Sequence, residues 1–171
     1  MRSAALQASS VHLRGTVVSD GGTKARMDLQ LNMDSSGGMV ELDGIAIPVL
    51  RVASVAGKVA GKWVPSTTRL GKALSDDFDQ SLNYDTFIGS GILQSLDSAS
   101  FAGKGFDVLD GTPVQVFSDS DGIACVAASE PHYLMRVKDP AGDNQLDFTG
   151  WNQPVPLSAP PVNEIFQGKG I

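Results

Sequence analysis

At 171 residues, with 42% apolar and 19% charged side chains, the chain has the balance of a globular protein that can close a core, which excludes intrinsic disorder. Thirteen basic against nineteen acidic residues give a formal net charge of −6. No two Lys or Arg are adjacent, so the basic footprint of a nucleic-acid partner is missing. No run approaches the roughly 18 apolar residues of a membrane-spanning helix; the longest, 45–50 and 123–128, are strand-sized.

Val11, Leu13 and Val17 alternate with His12, Arg14 and Thr16, which predicts a strand with one apolar face. Asp20-Gly21-Gly22 then supplies a turn, since glycine accepts positive φ without steric cost. The sharpest alternation follows: Met27, Leu29, Leu31 and Met33 on one side, Arg26, Asp28, Gln30, Asn32 and Asp34 on the other. Ser35-Ser36-Gly37-Gly38 turns the chain into 39–42, where Val40 and Leu42 continue the dry face, and Asp43-Gly44 turns it into 45–52. Four strands at hairpin spacing predict an antiparallel meander, wet on one face and dry on the other. Pro48 lacks a ladder donor and belongs at an edge or a bulge.

From 57 to 96 the texture changes. Ser75-Asp76-Asp77-Phe78 reads as a helix start. Asp85 reads as the cap of a second helix, 85–97, with Phe87, Ile88, Gly91, Ile92 and Leu96 as its apolar stripe. Both helices are expected over the dry face of the sheet. Strands resume at 106–109, 114–117 and 123–128, divided by Asp110-Gly111 and Ser120-Asp121-Gly122. Tyr133, Met135 and Val137 alternate in the next strand, and Leu146 with Phe148 in the one after. The proline-rich stretch beyond Trp151 reads as an extended strap. With no internal repeat and no linker, 1–171 reads as one domain, its core at about 5–165 and a tail at 166–171.

The residues offer little for catalysis or metal binding. Asp119-Ser120-Asp121-Gly122 resembles the start of a calcium loop, with Glu130 at its twelfth position. Ile123 and Ala127 replace ligands, however, and Ala124 replaces the glycine of the sharp turn, which leaves a hairpin turn. Asp76, Asp77 and Asp79 have no histidine or cysteine near them in sequence and read as helix-capping acids. His12 and His132 fall on positions turned away from the dry face and read as solvated strand residues. Gly89-Ser90-Gly91 lies within a helical pattern, where a nucleophile elbow needs a strand before it. Gly103-Lys104-Gly105 and Gly168-Lys169-Gly170 lack the rest of a phosphate loop. Cys125, the only cysteine, excludes an internal disulfide and reads as a small buried strand residue. No catalytic residue, metal site or cofactor is expected.

Four segments together carry a family resemblance. They are Ser10-Val11-His12-Leu13-Arg14-Gly15-Thr16-Val17, Pro131-His132-Tyr133-Leu134-Met135-Arg136-Val137, Leu146-Asp147-Phe148-Thr149-Gly150-Trp151 and Pro154-Val155-Pro156-Leu157-Ser158-Ala159-Pro160-Pro161. Their layout resembles the LppX/LprG-type lipoproteins of actinobacteria, within the wider LolA/LolB-like group of lipid carriers, over residues 5–165. Gly61-Lys62-Trp63-Val64-Pro65 resembles the Gly-Lys-Trp segment that closes a strand before the helical part of that family. The chain departs from the pattern between Val52 and Trp63, where the family has a longer, partly aromatic insert and this chain has short, small residues, which predicts less covering material.

The resemblance implies an α+β fold, a curved antiparallel half-barrel of roughly ten strands with short helices covering its concave face. It also implies non-catalytic transport of lipid or glycolipid acyl chains. The helix 85–97, weakened by Gly89 and Gly91, is the candidate lid. Candidate cavity-lining residues are Val17, Met27, Leu29, Leu31, Met33, Val40 and Leu42 from the first strands, Phe87, Ile88 and Ile92 from the second helix, and Met135. Flexible methionines on such a face suit irregular guests. The same side chains could instead fill a core, which leaves an envelope scaffold or sensor domain with a protein partner as the alternative. Residues 1–6 have neither the apolar core nor the cleavage pattern of a signal peptide, which by itself reads as cytoplasmic. The resemblance implies instead an exported protein of the cell envelope, anchored by a lipidated cysteine N-terminal to Met1.

Overall fold

Alternating apolar and polar residues joined by tight turns build one eleven-stranded antiparallel sheet. This computed structural model describes residues 2–167 other than 20, 34, 53, 82, 95 and 97–100, and not the side chains of 2, 78, 79 and 81. The expected turn residue Asp20, the wet-face Asp34, the Asp79 carboxylate, the helix end at Asp97 and Gly168-Lys169-Gly170 therefore lie outside the described residues. The strands are β1 (Ser10–Val18), β2 (Lys24–Asn32), β3 (Ser36–Leu42), β4 (Ile45–Val52), β5 (Val55–Val59) and β6 (Lys62–Pro65), then β7 (Ala102–Leu109), β8 (Thr112–Ser118), β9 (Ile123–Ala127), β10 (Leu134–Lys138) and β11 (Gln145–Thr149). Their order is β6-β5-β4-β3-β2-β1-β11-β10-β9-β8-β7, so two meanders meet only where β1 pairs with β11. The outermost strands, β6 and β7, do not pair, and the half-barrel stays open. One strand was not legible as such: β5 forms in the short, small segment after Val52.

At two glycines neighbouring backbones approach so closely that no side chain fits between them. A Cβ on Gly15 would lie 1.9 Å from the Gln145 carbonyl oxygen, and one on Gly38, at φ +141°, would lie 2.0 Å from that of Asp28. Pro48 sits where the expectation put it. It pairs with Met39 on one side, while β5 reaches β4 only at Arg51 and Val52, which leaves the other side of Pro48 without a ladder partner among the described residues.

The two faces differ as the alternation requires. On the outer face Arg136, Asp147, Arg14 and Asp28 stand opposite one another across four strands, alternating in charge. Arg14 donates two hydrogen bonds to Asp28 Oδ2, at 2.7 and 3.0 Å, and Arg136 binds Asp147. On the concave face Leu13, Leu29, Leu31, Leu134 and Phe148 are 0% exposed. Strand β10 breaks the simple alternation. A bulge between Leu134 and Arg136 leaves Met135 unpaired, so Leu134 and Val137 both belong to the core side and Arg136 points outward.

The helices begin elsewhere than their acidic clusters suggested. Helix α1 (Arg2–Gln7) has no sequence signal. Helix α2 (Arg69–Ser81) starts after Thr68, whose hydroxyl accepts the Gly71 N–H at 3.0 Å; Ser75, Asp76 and Asp77 are therefore mid-helix residues rather than its start. The next helix, Asp85–Leu93, is a π helix. Asn83 Oδ1 accepts the Thr86 N–H at 2.7 Å, so Asn83 rather than Asp85 supplies the cap. Ile88 and Leu93, the two fully buried residues, are five apart, one π turn, where the expected α-helical stripe had no Leu93.

Tyr84, also buried, donates its hydroxyl to the Ala5 carbonyl at 2.6 Å and so ties α1 to the π helix. Burial pushes its phenol up, with Tyr133 and Asp85 adding to the shift. Because Ala5 also accepts the Ala8 N–H, Tyr84→Phe is expected to cost about 1 kcal/mol. The raised folded value means that the stability of the neutral phenol is complete below the ordinary value near 10 and is lost as pH rises above it. Urea unfolding across alkaline pH checks this, and a Tyr84→Phe variant as sensitive to alkali as the parent would refute the assignment.

The strap past Trp151 crosses the outer face. Ser10 Oγ donates to Gln153 O at 2.7 Å, Leu157 lies over Gly37, and Phe166 N–H reaches Trp63 O at 2.8 Å beside an Ile165–Trp63 bridge at the β6 edge. Trp151 stacks on Tyr133 at 5.0 Å and donates its indole N–H to Leu134 O at 2.9 Å.

Candidate functional site

Rows of side chains cross the concave face and differ in how far they are covered; one of them, Ser36–Leu31–Val11, is fully buried. In the central row, Val49–Gly38–Leu29–Leu13–Phe148, the three residues Leu29, Leu13 and Phe148 are fully buried, whereas Val49 is half-buried and Gly38 exposed. The next, Ile47–Val40–Met27–Gly15–Leu146–Val137–Ala124–Phe117, is partly open. The last, Ile45–Leu42–Ala25–Val17, reaches the end of the sheet, where Ile45 is 69% exposed.

At that end lies a cavity of about 520 Å³ between the π helix and strands β1, β9, β10 and β11. Val17, Ile92, Leu96, Phe101, Ile123, Val137 and Leu146 give it an apolar lining, and the β8–β9 and β10–β11 turns form a polar mouth of Asp119, Asp121, Lys138, Asp139, Asn144 and Gln145. The turns are braced by their own hydrogen bonds. Asp119 Oδ1 accepts the N–H groups of Asp121 and Gly122, both at 2.9 Å. Asp139 accepts the Gly142 and Asn144 N–H groups and the Asn144 amide. Desolvation pushes the Asp139 carboxyl up, but these bonds outweigh it and hold it below the ordinary carboxylate value.

The cavity takes in two of the candidate residues, Val17 and Ile92. Met27, Val40 and Phe87 are partly buried against the core, and Met27 and Val40 extend its apolar surface across β2 and β3. Leu29, Leu31 and Ile88, at 0% exposure, belong to the filled centre. Three candidates are placed elsewhere. Met33 lies just past the end of β2 and is 48% exposed; Leu42 stands 38% exposed at the rim; Met135 is the bulge residue of β10. Val137 and Leu146, read from the sequence as members of the apolar sets of their strands, line the cavity because β11 lies beside β1 and β10 beside β11. Phe101 carried no signal in the sequence.

Neither histidine faces this cavity. His132 sits at φ +60° in the bend before β10, with Nδ1 3.1 Å from Ala127 O, rather than within a strand. His12 is on the outer face, Nε2 2.6 Å from Asp28 Oδ1, beside a hollow of about 360 Å³ under the strap. The bond to His12 holds the Asp28 carboxyl below its ordinary value; burial opposes this, and Arg14 adds to the lowering. A depressed folded value contributes stability above the unfolded value near 3.9 that is lost as pH falls through the folded one. Asp28→Asn is therefore expected to flatten the loss of stability below about pH 4. Urea midpoints at neutral and acid pH read this out, and an acid limb unchanged by the substitution would contradict it. Cys125, buried on β9, has its thiol pushed up by burial, opposed by Arg136 and Lys138.

No protein-family model matches the sequence. No curated protein shows significant sequence similarity to it. Among solved structures, the chain is similar to the crystal structure of the Mycobacterium tuberculosis lipoprotein LppX, with a TM-score of 0.57 and 18% sequence identity over 91% of this chain and 93% of that one. Both chains are covered almost from end to end, so the likeness is one of whole topology, and the open, curved antiparallel sheet with short helices on its concave side is an LppX-like lipoprotein fold.

Proposed function

We propose that the protein is a non-catalytic lipid carrier of the cell envelope, which holds acyl chains of a lipid or glycolipid and shields them from water. The observation behind this reading is the cavity of about 520 Å³ with an apolar lining, a size usual for small-molecule sites. Its lining continues through Met27 and Val40 to Ile47, 41% exposed, an apolar path along which a chain longer than the cavity can lie. Each methylene removed from water contributes about 0.8 kcal/mol, so affinity rises with chain length and no bond chemistry is required. Export and an N-terminal lipid anchor in the full-length protein belong to the same reading.

The solid centre around Leu13, Leu29 and Phe148 favours a second reading, an envelope scaffold or sensor that binds a protein partner. Native mass spectrometry of protein from its own host, with organic extraction of whatever co-purifies, separates the two. A stoichiometric acyl-chain ligand supports the carrier; an apo mass and no uptake of added lipid supports the scaffold.

A further inference from the structure

Among the described residues that line it, the cavity is apolar inside and carries its charged side chains at the mouth. Among those same residues, Asp119, Asp121 and Asp139 stand there with one basic residue, Lys138, while the Asn144 amide is bonded to Asp139 and to the Val18 N–H and the Gln145 amide to Asp147. The Asp119 and Asp139 carboxylates are held at the mouth by backbone N–H groups of their own turns. An ionised carboxylate offers about four acceptor sites, and the turn bonds leave some of them open. A headgroup at this mouth meets mainly hydrogen-bond acceptors and an excess of negative charge.

Resting on the carrier reading, we infer that the site selects amphiphiles whose headgroup is a non-anionic hydrogen-bond donor and discriminates against anionic headgroups such as phosphate monoesters. Like charges a few ångströms apart near a protein surface repel enough to change binding about tenfold. The repulsion is screened over about 10 Å at 0.1 M salt. Lys138 can offset one carboxylate, and the other two remain uncompensated.

The test compares dodecylamine, dodecyl maltoside and dodecyl phosphate below their micelle concentrations, by calorimetry at low and at high salt. The amine and the maltoside are expected to bind roughly tenfold tighter than the phosphate at low ionic strength, with the gap narrowing in high salt. Asp119→Asn/Asp121→Asn keeps a side-chain acceptor for the turn and is expected to remove at least about threefold of that preference. Asp76→Asn/Glu130→Gln, an equal charge change at exposed positions outside the mouth, is expected to leave it unchanged. Equal affinity for all three, or a preference that survives in the mouth variant, would overturn the inference while chain-length dependence kept the carrier reading. Failure of all three to bind would overturn both.

Discussion

Gly15→Ala is expected to destabilise the protein by ~3 kcal/mol or more, at the upper end of what overpacking costs. The added methyl would start 1.9 Å from the Gln145 carbonyl oxygen and 2.9 Å from Leu146 Cα, both backbone atoms, so no side-chain rotation relieves it. Relief means separating β1 from β11, the one pairing that joins the two meanders and the place where Leu13 packs beside Phe148. Out of a typical total of about 5–15 kcal/mol, that loss moves the urea midpoint by roughly 1–3 M. Gly22→Ala is the control: φ is +81° but nothing lies within 4 Å, so only the local cost of about 1–2 kcal/mol applies. A Gly15→Ala midpoint no lower than that of Gly22→Ala would show that the strands can part cheaply.

Ile92→Trp is expected to reduce acyl-chain binding at least about tenfold while leaving the fold intact. Ile92 is partly buried on the π helix and faces the cavity, so a larger ring there occupies space that a chain would otherwise fill. Displacing two methylenes at about 0.8 kcal/mol each already exceeds a factor of ten. Val17→Trp, from the opposite wall on β1, should act in the same way. Binding of an alkyl maltoside series to the parent should strengthen about fourfold per methylene until the cavity and its groove are full. Unchanged affinity in both Trp variants would place any lipid elsewhere. A Trp at Leu29 or Leu31, the positions the sequence pattern favours, is a poor probe, because both are fully buried and the substitution overpacks the core at a cost of about 1–3 kcal/mol.

Most of the strands and hairpin turns and the assignment of a wet and a dry face could be read from the sequence, because a period of two repeats within a few residues and needs no knowledge of neighbours. Met27, Leu29 and Leu31 against Arg26, Asp28 and Gln30 fixed the sides of β2 in that way, and Pro48 announced its edge by lacking a donor. The resemblance in the four quoted segments extended that to the half-barrel. Ser36, Gly37 and Gly38, expected in a turn, instead pair with Leu31, Gln30 and Leu29 as the start of β3, because their small side chains hide the alternation. Helix starts were less legible: Thr68 and Asn83 cap where acidic clusters drew attention, and the five-residue spacing of Ile88 and Leu93 follows a π turn that no α-helical template anticipates. The bulge that shifts Met135 is equally silent in sequence, since one extra residue changes the phase only when a partner strand is present. Which part of the dry face is filled and which is hollow was decided by tertiary structure alone. Alternation gives the side on which a residue stands; the space above it depends on where the π helix ends and which strands lie beside β1. The β1–β11 pairing joins residues more than a hundred positions apart and the π helix comes from a separate segment, so Leu29 became core and Val17, Val137 and Leu146 became the wall of the cavity.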